Sequence, residues 1–171
     1  DVFYNISTGK ASSQSIRKVA ELGWKPLHLL SAGSTGRSIL SAAGLENANG
    51  IVAIRYAKEV GVPRWEKDPD VMAFEALRKK YLPTVDPDNT IAFAGYGQVA
   101  SMAEILRRCG DDLTRANVLK HATTLAGFHS PYFLDGVNFS YTPNDYTPMK
   151  TLYISQFNGS DWDISDKPVT E

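Results

Sequence analysis

Alternation of short apolar runs with amphipathic stretches in the first third of the chain is the feature that most restricts its fold. Largely apolar runs of strand length occupy residues 2–6, 27–30 and 50–56. The stretches between them, over residues 11–22 and 38–43, carry apolar side chains close to helical spacing. Strand, helix, strand, helix, strand at these intervals is typical of parallel βαβ units. We therefore predict an α/β fold with a parallel sheet.

Two polar loops follow the first two predicted strands. The first is Ser7-Thr8-Gly9, and the second is the small-residue segment at residues 31–36, which reads Ser-Ala-Gly-Ser-Thr-Gly. Ligands of parallel α/β sheets bind beyond the carboxyl ends of the strands, where such loops lie. These two loops are therefore the first candidates for a binding site.

Beyond residue 56 the pattern changes to consecutive helices. Asp68-Pro69 is a helix cap followed by proline at the first helical position, and it opens a helix that ends at Pro83. Two further helices are predicted over residues 91–108 and 113–125, the latter opened by Asp111-Asp112. Strands are predicted over residues 136–140, 152–157 and near 162–164, with Asn158-Gly159 as a tight hairpin turn. Helices in the middle and strands at both ends indicate that the chain passes through two structural bodies.

Composition excludes several classes of protein. Hydrophobic residues make up 43% of the chain, charged residues 22%, and the formal net charge is -1, as in ordinary globular proteins rather than nucleic-acid-binding ones. The single cysteine, Cys109, rules out an intrachain disulfide and is expected to pack as a small apolar residue. His28, His121 and His129 lack metal-ligand spacing, so no metal or cofactor is expected.

Residues 95–100 fit the dinucleotide-binding pattern G-x-G-x-x-A. That pattern requires a preceding strand and a later acidic residue, and the second of these is missing. Taken as a helix, the same segment has apolar residues at spacings of 4, 3, 4 and 3, namely Ala92, Tyr96, Val99, Ala103 and Leu106. We predict a packed helix whose glycines admit a close neighbour.

Residues 32–36 nearly match the nucleophile elbow G-x-S-x-G, with alanine in place of the first glycine. Chain order would allow Ser34, Asp112 and His129 to form a hydrolytic triad. The preceding strand is short, however, and no second oxyanion loop is visible. A small α/β hydrolase using Ser34 therefore stays the alternative to a loop that presents hydroxyls and backbone N–H groups to a ligand.

Several segments, taken in order, resemble one family, the type I periplasmic binding proteins of the leucine/isoleucine/valine-binding group of ABC-transporter receptors. The resemblance covers essentially the whole chain, and the order and spacing of its segments carry it rather than any single motif. These segments are Asp1-Val2-Phe3-Tyr4, Ala20-Glu21-Leu22-Gly23-Trp24, residues 27–33, Gly50-Ile51-Val52-Ala53, Ala94-Gly95-Tyr96, Asp135-Gly136-Val137-Asn138-Phe139 and residues 152–159.

Such receptors consist of two α/β lobes that close on a ligand by a hinge motion. The resemblance implies that residues 1–56 and 151–171 belong to the second lobe and residues 57–150 to part of the first, with crossings near Ala57-Lys58 and Pro148-Lys150. The chain opens on a strand already under way, so the opening units of the first lobe and a signal peptide are expected upstream.

The resemblance also implies a function and a site. The protein would be a receptor rather than an enzyme, periplasmic or lipid-anchored outside the cell, that delivers a small ligand to an ABC permease. Its ligand contacts would come from Ser7, Thr8, Gly9, Ser31, Ala32, Gly33 and Ser34 of the second lobe and from Tyr96 of the first.

Amino-acid-binding members of the family usually carry an acidic residue near position 32 for the ligand's ammonium group, and none is present here. We therefore expect an aromatic or aliphatic carboxylate, an amide or a related amino-acid-like metabolite rather than an ordinary α-amino acid. A fragment with half of a clamshell would not bind with native affinity, and it could persist as a dimer or by exchanging elements between copies.

Overall fold

A computed structural model describes residues 1–170, which divide into two compact units. The first, here called the sheet unit, comprises Asp1–Arg55 and Leu152–Val169. The second, the helical unit, comprises Tyr56–Thr151 together with Thr170. The helical unit is thus inserted into the sheet unit, which the chain leaves after Arg55 and re-enters at Leu152.

Apart from the end residues Thr151 and Thr170, the six strands that the structure describes within residues 1–170 lie in the sheet unit. They run β1 to β5 across the sheet in chain order, with β6 also paired to β4. β1, β2 and β3 are parallel, β4 is antiparallel to β3, and β5 is antiparallel to β4. The elements are β1 Val2–Asn5, α1 Lys10–Glu21, β2 Leu27–Leu30, α2 Arg37–Ala43, β3 Val52–Arg55, β4 Thr151–Phe157, β5 Trp162–Ile164 and β6 Val169–Thr170, with 3₁₀ turns at Ala32–Ser34 and Leu45–Ala48.

Both helices of the sheet unit pack on the same face of the sheet. Ile16 of α1 and Leu40 of α2 are fully buried in one core with Ala53, Phe157 and Trp162. This arrangement follows from the strand order, because successive right-handed crossovers that advance in one direction lie on one side of a sheet.

The opposite face of this sheet, here called the open face, is apolar and exposed. Five of its apolar side chains retain from 47% to 66% of their accessible surface, namely Val2, Tyr4, Leu27, Ile54 and Ile154. The strand register places them together, since Val2 pairs with Leu27 and Ile54 with Ile154. Parallel sheets are normally covered on both faces, so the open face is unusual for a folded domain.

The helical unit is built from α3 Pro69–Tyr81, α4 Thr90–Cys109 and α5 Arg115–Thr123, with a 3₁₀ turn at Pro63–Trp65. Its core contains Val60, Val71, Phe74 and Phe93. All three helices begin at a side-chain cap, because Asp68, Asn89 and Thr114 each accept a hydrogen bond from a backbone N–H of the first turn.

A buried ion pair fixes the start of α3. The Lys58 ammonium lies 2.9 Å from carboxylate oxygens of both Asp68 and Asp70, and the Lys58 side chain is only 3% exposed. Burial raises the pKa of Asp68, but hydrogen bonds from Lys58 and from the backbone N–H groups of Val71 and Asp70 outweigh it, so the net pKa is lowered. Asp68 is therefore ionised at neutral pH and serves both as cap and as ion partner.

The helix α4 is continuous through residues 95–100, so the predicted helix is confirmed and a dinucleotide turn is excluded there. A Cβ on Gly97 would lie 2.6 Å from Tyr132 Cβ and 2.7 Å from Ser130 Oγ, which is the predicted close neighbour. At Gly95 a Cβ would meet nothing within 4 Å, so the prediction fails for that glycine. The predicted apolar seam is also wrong beyond Tyr96.

The seam is displaced because α4 carries a second set of residues at helical spacing. Phe93, Gly97, Ile105 and Cys109 are the buried residues of α4. Val99 and Leu106 of the predicted seam are 68% and 42% exposed. Cys109 is buried and packs as a small apolar residue, as predicted from the sequence.

Three local predictions for the second half of the chain are wrong in detail. Residues 136–140 form no strand, because Phe139 and Phe128 exchange hydrogen bonds only as an isolated bridge and Gly136 turns at φ 79°. α5 begins at Arg115, because Thr114 rather than Asp111-Asp112 caps it. The β4–β5 loop spans residues 158–161, because Asn158 Oδ1 accepts hydrogen bonds from the N–H groups of both Ser160 and Asp161.

Candidate functional site

The carboxyl ends of β1 and β2 lie side by side in the sheet unit. Asn5, the last residue of β1, is in register with Leu30, the last residue of β2. The two polar loops predicted from the sequence therefore leave the sheet at adjacent points and in the same direction. They are here called loop 1 (residues 6–9) and loop 2 (residues 31–36).

Loop 1 is shaped by the side chain at the end of β1. Asn5 Oδ1 accepts hydrogen bonds from the backbone N–H of Ser7 at 3.2 Å and from its hydroxyl at 2.5 Å, which closes a local turn. Gly9 follows with φ 55°, a conformation that favours glycine, and its carbonyl receives the N–H groups of Ser12 and Ser13 as α1 begins. Thr8 and Gly9 are exposed, and Ser7 is half-buried.

No side chain caps the N-terminus of α1, and its first turn contains no acidic residue. The N–H groups of that turn carry the positive end of the helix dipole. Loop 1 thus joins an exposed threonine hydroxyl to a positive helix end.

Loop 2 forms a single 3₁₀ turn, closed by a hydrogen bond from the N–H of Ser34 to the carbonyl of Ser31 at 2.9 Å. Gly33 is exposed, whereas Ser31 and Ala32 are half-buried. Two of the small residues in the loop are buried, which leaves no room for larger side chains at those positions. Ser34 is fully buried and Thr35 is 6% exposed.

Two serine hydroxyls, which meet at one carbonyl oxygen, join the two loops. Ser34 Oγ donates to the carbonyl oxygen of Ser7 at 2.7 Å. Ser12 Oγ, from the first turn of α1, lies 2.6 Å from that same carbonyl oxygen and 2.9 Å from Ser34 Oγ. Loops 1 and 2 therefore form one hydrogen-bonded surface at the edge of the sheet.

This network decides which of the predicted residues can face a ligand. The structure brings Ser7, Thr8 and Gly9 next to the loop that contains Ser31, Ala32, Gly33 and Ser34. The Ser34 hydroxyl, however, is buried and already engaged, so its contribution is to hold the loops together. Thr8, Gly9 and Gly33 present the exposed surface.

Tyr96 lies in the helical unit, in an aromatic cluster rather than on a loop. Its ring is 5.6 Å from that of Phe74 and stacks on Phe93 at 6.3 Å between centroids. It is half-buried against the core of that unit. A ligand contact from Tyr96 stays a prediction.

Two neighbours of loop 2 were not predicted from the sequence. Arg55, at the end of β3, donates from Nη1 to Thr35 Oγ1 at 2.7 Å, and Trp162 of β5 donates from its indole N–H to the Thr35 carbonyl at 3.1 Å. The only signal for Arg55 was a cation within an otherwise apolar strand run, and nothing in the local pattern marked Trp162.

The three side chains of the alternative hydrolytic triad all have other hydrogen-bond partners. Ser34 donates its proton to the Ser7 carbonyl, Asp112 accepts from the N–H of Thr114, and His129 Nδ1 lies 2.9 Å from the Val137 carbonyl. Each group is thus bonded to a backbone partner outside the triad, and the hydrolase hypothesis has no support.

His28 is buried on β2, and burial lowers its pKa, so it is neutral at pH 7. No cluster of His, Cys, Asp or Glu suited to a metal ion occurs within residues 1–170. Across the same residues, no helix is both long and apolar enough to cross a bilayer.

Solved structures with a similar fold include proteins of ABC transporters and a substrate-binding periplasmic protein. A branched-chain amino-acid ABC transporter protein from Thermus thermophilus with bound valine has a TM-score of 0.81 at 18% identity, over 100% of this chain and 46% of that chain. A substrate-binding periplasmic protein from Ralstonia solanacearum has a TM-score of 0.76 at 17% identity, over 99% and 45%. A solute-binding protein from R. palustris in complex with benzoate has a TM-score of 0.65 at 16% identity, over 100% and 44%.

The chain therefore spans less than half the length of these structural relatives. A search of curated proteins found no significant match. A sequence profile of the periplasmic binding protein family matches residues 1–161, which is nearly the whole chain. The chain has the α/β fold of the type I binding proteins and belongs to the periplasmic binding protein family.

Proposed function

We propose that the chain is part of an extracytoplasmic receptor that binds a small solute and passes it to an ABC permease, without catalysing a reaction. The observation that carries this proposal is the joined surface of loops 1 and 2 at the carboxyl ends of adjacent parallel strands. Family membership supports this interpretation of the surface. Two of the solved relatives hold a small molecule, valine in one and benzoate in the other.

We further propose that the sheet unit is part of the second lobe of such a receptor and the helical unit part of the first. Two facts support this assignment. The chain leaves the sheet unit after Arg55 and returns at Leu152, as the lobes of a hinged receptor require. The whole chain also corresponds to less than half of each relative.

The ligand is expected to be a carboxylate, preferably an aromatic one. Loops 1 and 2 contain no Asp or Glu to balance a buried ammonium group, which would cost several kcal/mol if unpaired. The uncapped first turn of α1 and the hydroxyl of Thr8 offer donors to an anion instead. Of the three relatives described above, one was solved with valine and one with benzoate.

Titration calorimetry of the complete gene product with benzoate and with leucine tests the ligand class. We expect benzoate to bind and leucine to bind at least tenfold more weakly, a difference of about 1.4 kcal/mol. Tight binding of leucine would overturn the assignment to a carboxylate without an ammonium group. The 171-residue chain alone is expected to bind benzoate far more weakly than the complete product, because it carries only part of the receptor.

Single hydroxyl deletions locate the site. Thr8→Val removes an exposed hydroxyl from loop 1, and we expect weaker benzoate binding with an unchanged melting temperature. Ser15→Ala is the matched control, since its hydroxyl bonds only to the Ala11 carbonyl within α1. Equal affinities for both variants would exclude a contact from Thr8.

One substitution, Ser34→Ala, distinguishes a receptor from a hydrolase. Ser34→Ala abolishes turnover of any ester if Ser34 is a nucleophile. In a receptor it only loosens the loops and raises the dissociation constant, because the hydroxyl bonds to the Ser7 carbonyl.

A further inference from the structure

Two buried side chains outside the predicted site donate hydrogen bonds to loop 2. We infer that Arg55 and Trp162 are positioning residues for loop 2, acting through Thr35. The hydrogen bonds from Arg55 and Trp162 to Thr35 are here called the tether, and they form without a ligand. Only their effect on ligand binding rests on the proposed function.

Thr35 is the point at which the tether meets the loop. It is the residue directly after the 3₁₀ turn Ala32–Ser34, and its hydroxyl donates to the Ala32 carbonyl at 2.9 Å, so its position sets the shape of that turn. Thr35 is 6% exposed and has no direct surface for a ligand.

Arg55 holds Thr35 from β3. Its Nη1 lies 2.7 Å from Thr35 Oγ1 and 3.4 Å from the Thr35 carbonyl oxygen, and the side chain is buried, with 4% exposure. A charge-assisted hydrogen bond in a buried setting is stronger than a neutral one. The guanidinium carbon also lies 5.3 Å from the centroid of the Trp162 ring, which keeps the fork oriented.

Trp162 holds the same residue from β5. Its indole N–H donates to the Thr35 carbonyl at 3.1 Å, and the side chain is 2% exposed. A second link runs close by, from Arg37 Nη1 to the Ser160 carbonyl at 2.7 Å. The end of the chain therefore sets the geometry of a loop that lies more than a hundred residues earlier.

The tether also joins the loop to the point where the chain changes units. Arg55 is the last residue of the sheet unit before the chain enters the helical unit. Arg55 therefore links loop 2 to this crossing through one hydrogen bond. Loop 2 is then preorganised by two buried residues outside the loop.

Hydrogen exchange on the 171-residue chain tests the tether directly. Arg55→Met is expected to speed exchange in a peptide covering residues 31–37 about tenfold, while the strand amides of β1 and β2 keep their protection. Trp162→Phe, which keeps an aromatic ring but lacks the indole N–H, should act in the same peptide with a smaller effect. Arg55→Lys, which keeps the charge, should recover part of the protection.

Ser155→Ala is the matched control. Ser155 is also buried in the sheet, and its hydroxyl donates to the Ala53 carbonyl at 3.2 Å without contacting loop 2. We expect it to lower the melting temperature without changing exchange at residues 31–37. Equal exchange changes in loop 2 for Ser155→Ala and Arg55→Met would overturn the inference.

A double-mutant cycle asks whether Arg55 acts through the Thr35 hydroxyl. In the Thr35→Val background, Arg55→Met should change exchange much less than in the wild type. An undiminished effect would overturn the inference as well. In the complete gene product, Arg55→Met should also weaken benzoate binding. Failure of the wild type to bind benzoate would count against the proposed function alone, since the exchange results decide the tether without a ligand.

Discussion

Two glycines of α4, two positions apart, are predicted to respond to alanine with opposite signs. At Gly95 the added methyl group meets no atom within 4 Å, so only helix propensity matters. Replacing a mid-helix glycine by alanine is worth about 1 kcal/mol, and Gly95→Ala should therefore stabilise α4 by roughly that amount.

Gly97 gains the same propensity but has no room for the methyl group. The new Cβ would lie 2.6 Å from Tyr132 Cβ and 2.7 Å from Ser130 Oγ. Neither atom is the free end of a long side chain, and Ser130 Oγ already donates to the Gly97 carbonyl. Overpacking of this kind costs about 1–3 kcal/mol, which equals or exceeds the propensity gain. The two variants should thus differ by about 1–3 kcal/mol, with Gly97→Ala the less stable.

Native-state hydrogen exchange of the α4 amides measures this difference, because it reports the opening free energy of the helix itself. It is preferable to a global melt, since unfolding of a chain with two units need not be two-state. Equal stabilisation by both substitutions would refute the close approach of residues 130–132 to Gly97. Destabilisation by both would refute the continuous exposed helix at Gly95.

Two further predictions concern charge and exposed apolar surface. Asp68→Asn keeps the cap oxygen but removes the charge facing Lys58. In urea unfolding at neutral pH it should lower the free energy of unfolding of the helical unit by about 1–3 kcal/mol. Asp68→Ala, which also removes the cap, should lower it by about 1 kcal/mol more. Because the pKa of Asp68 is lowered in the folded state, this stabilisation is complete above its ordinary value of 3.8 and is lost as pH falls through the lowered pKa. A wild-type advantage over Asp68→Asn that persists below that pKa would contradict the ion pair. On the open face, the double variant Tyr4→Lys with Ile54→Lys should reduce the binding of a hydrophobic dye and the self-association of the chain. The control Gln156→Lys replaces a residue that is already polar, so it should change neither. Unchanged dye binding in the double variant would show that the face is covered.

The βαβ part of the fold could be predicted because its signals are local. Residues 27–30 contain a complete strand within four positions, and the observed β2 has those limits. The cap at Asp68 with Pro69 after it likewise marked the start of α3 correctly. Such patterns depend on backbone geometry over a few residues, and they survive in the folded chain.

The buried side of α4 could not be predicted from its sequence. Two sets of residues at nearly helical spacing run along the helix, and one of them includes Gly97, which adds no hydrophobic signal. The segment at residues 130–132 selects that set by packing against the glycine. This contact is long-range, so no window of the sequence contains both partners.

The candidate site could likewise be predicted only in part. Strand order placed loops 1 and 2 at neighbouring positions, but it could not show which hydroxyls point inward. Ser34 is engaged by Ser7, and Thr35 by Arg55 and Trp162. These partners come from separate strands, and only the completed sheet brings them together.

The insertion of the helical unit between β3 and β4 also constrains how the chain folds. β4 pairs with β3 only after the whole segment Tyr56–Thr151 has been synthesised, and β5 follows at the end of the chain. Closing so long an unfolded segment is entropically costly, although each doubling of its length adds only about 0.6 kcal/mol. Prior collapse of the helical unit brings Arg55 and Leu152 closer and removes much of that cost. Refolding of the sheet should therefore lag behind that of the helices, and a ribosome-bound chain would complete its sheet only as the final strands emerge.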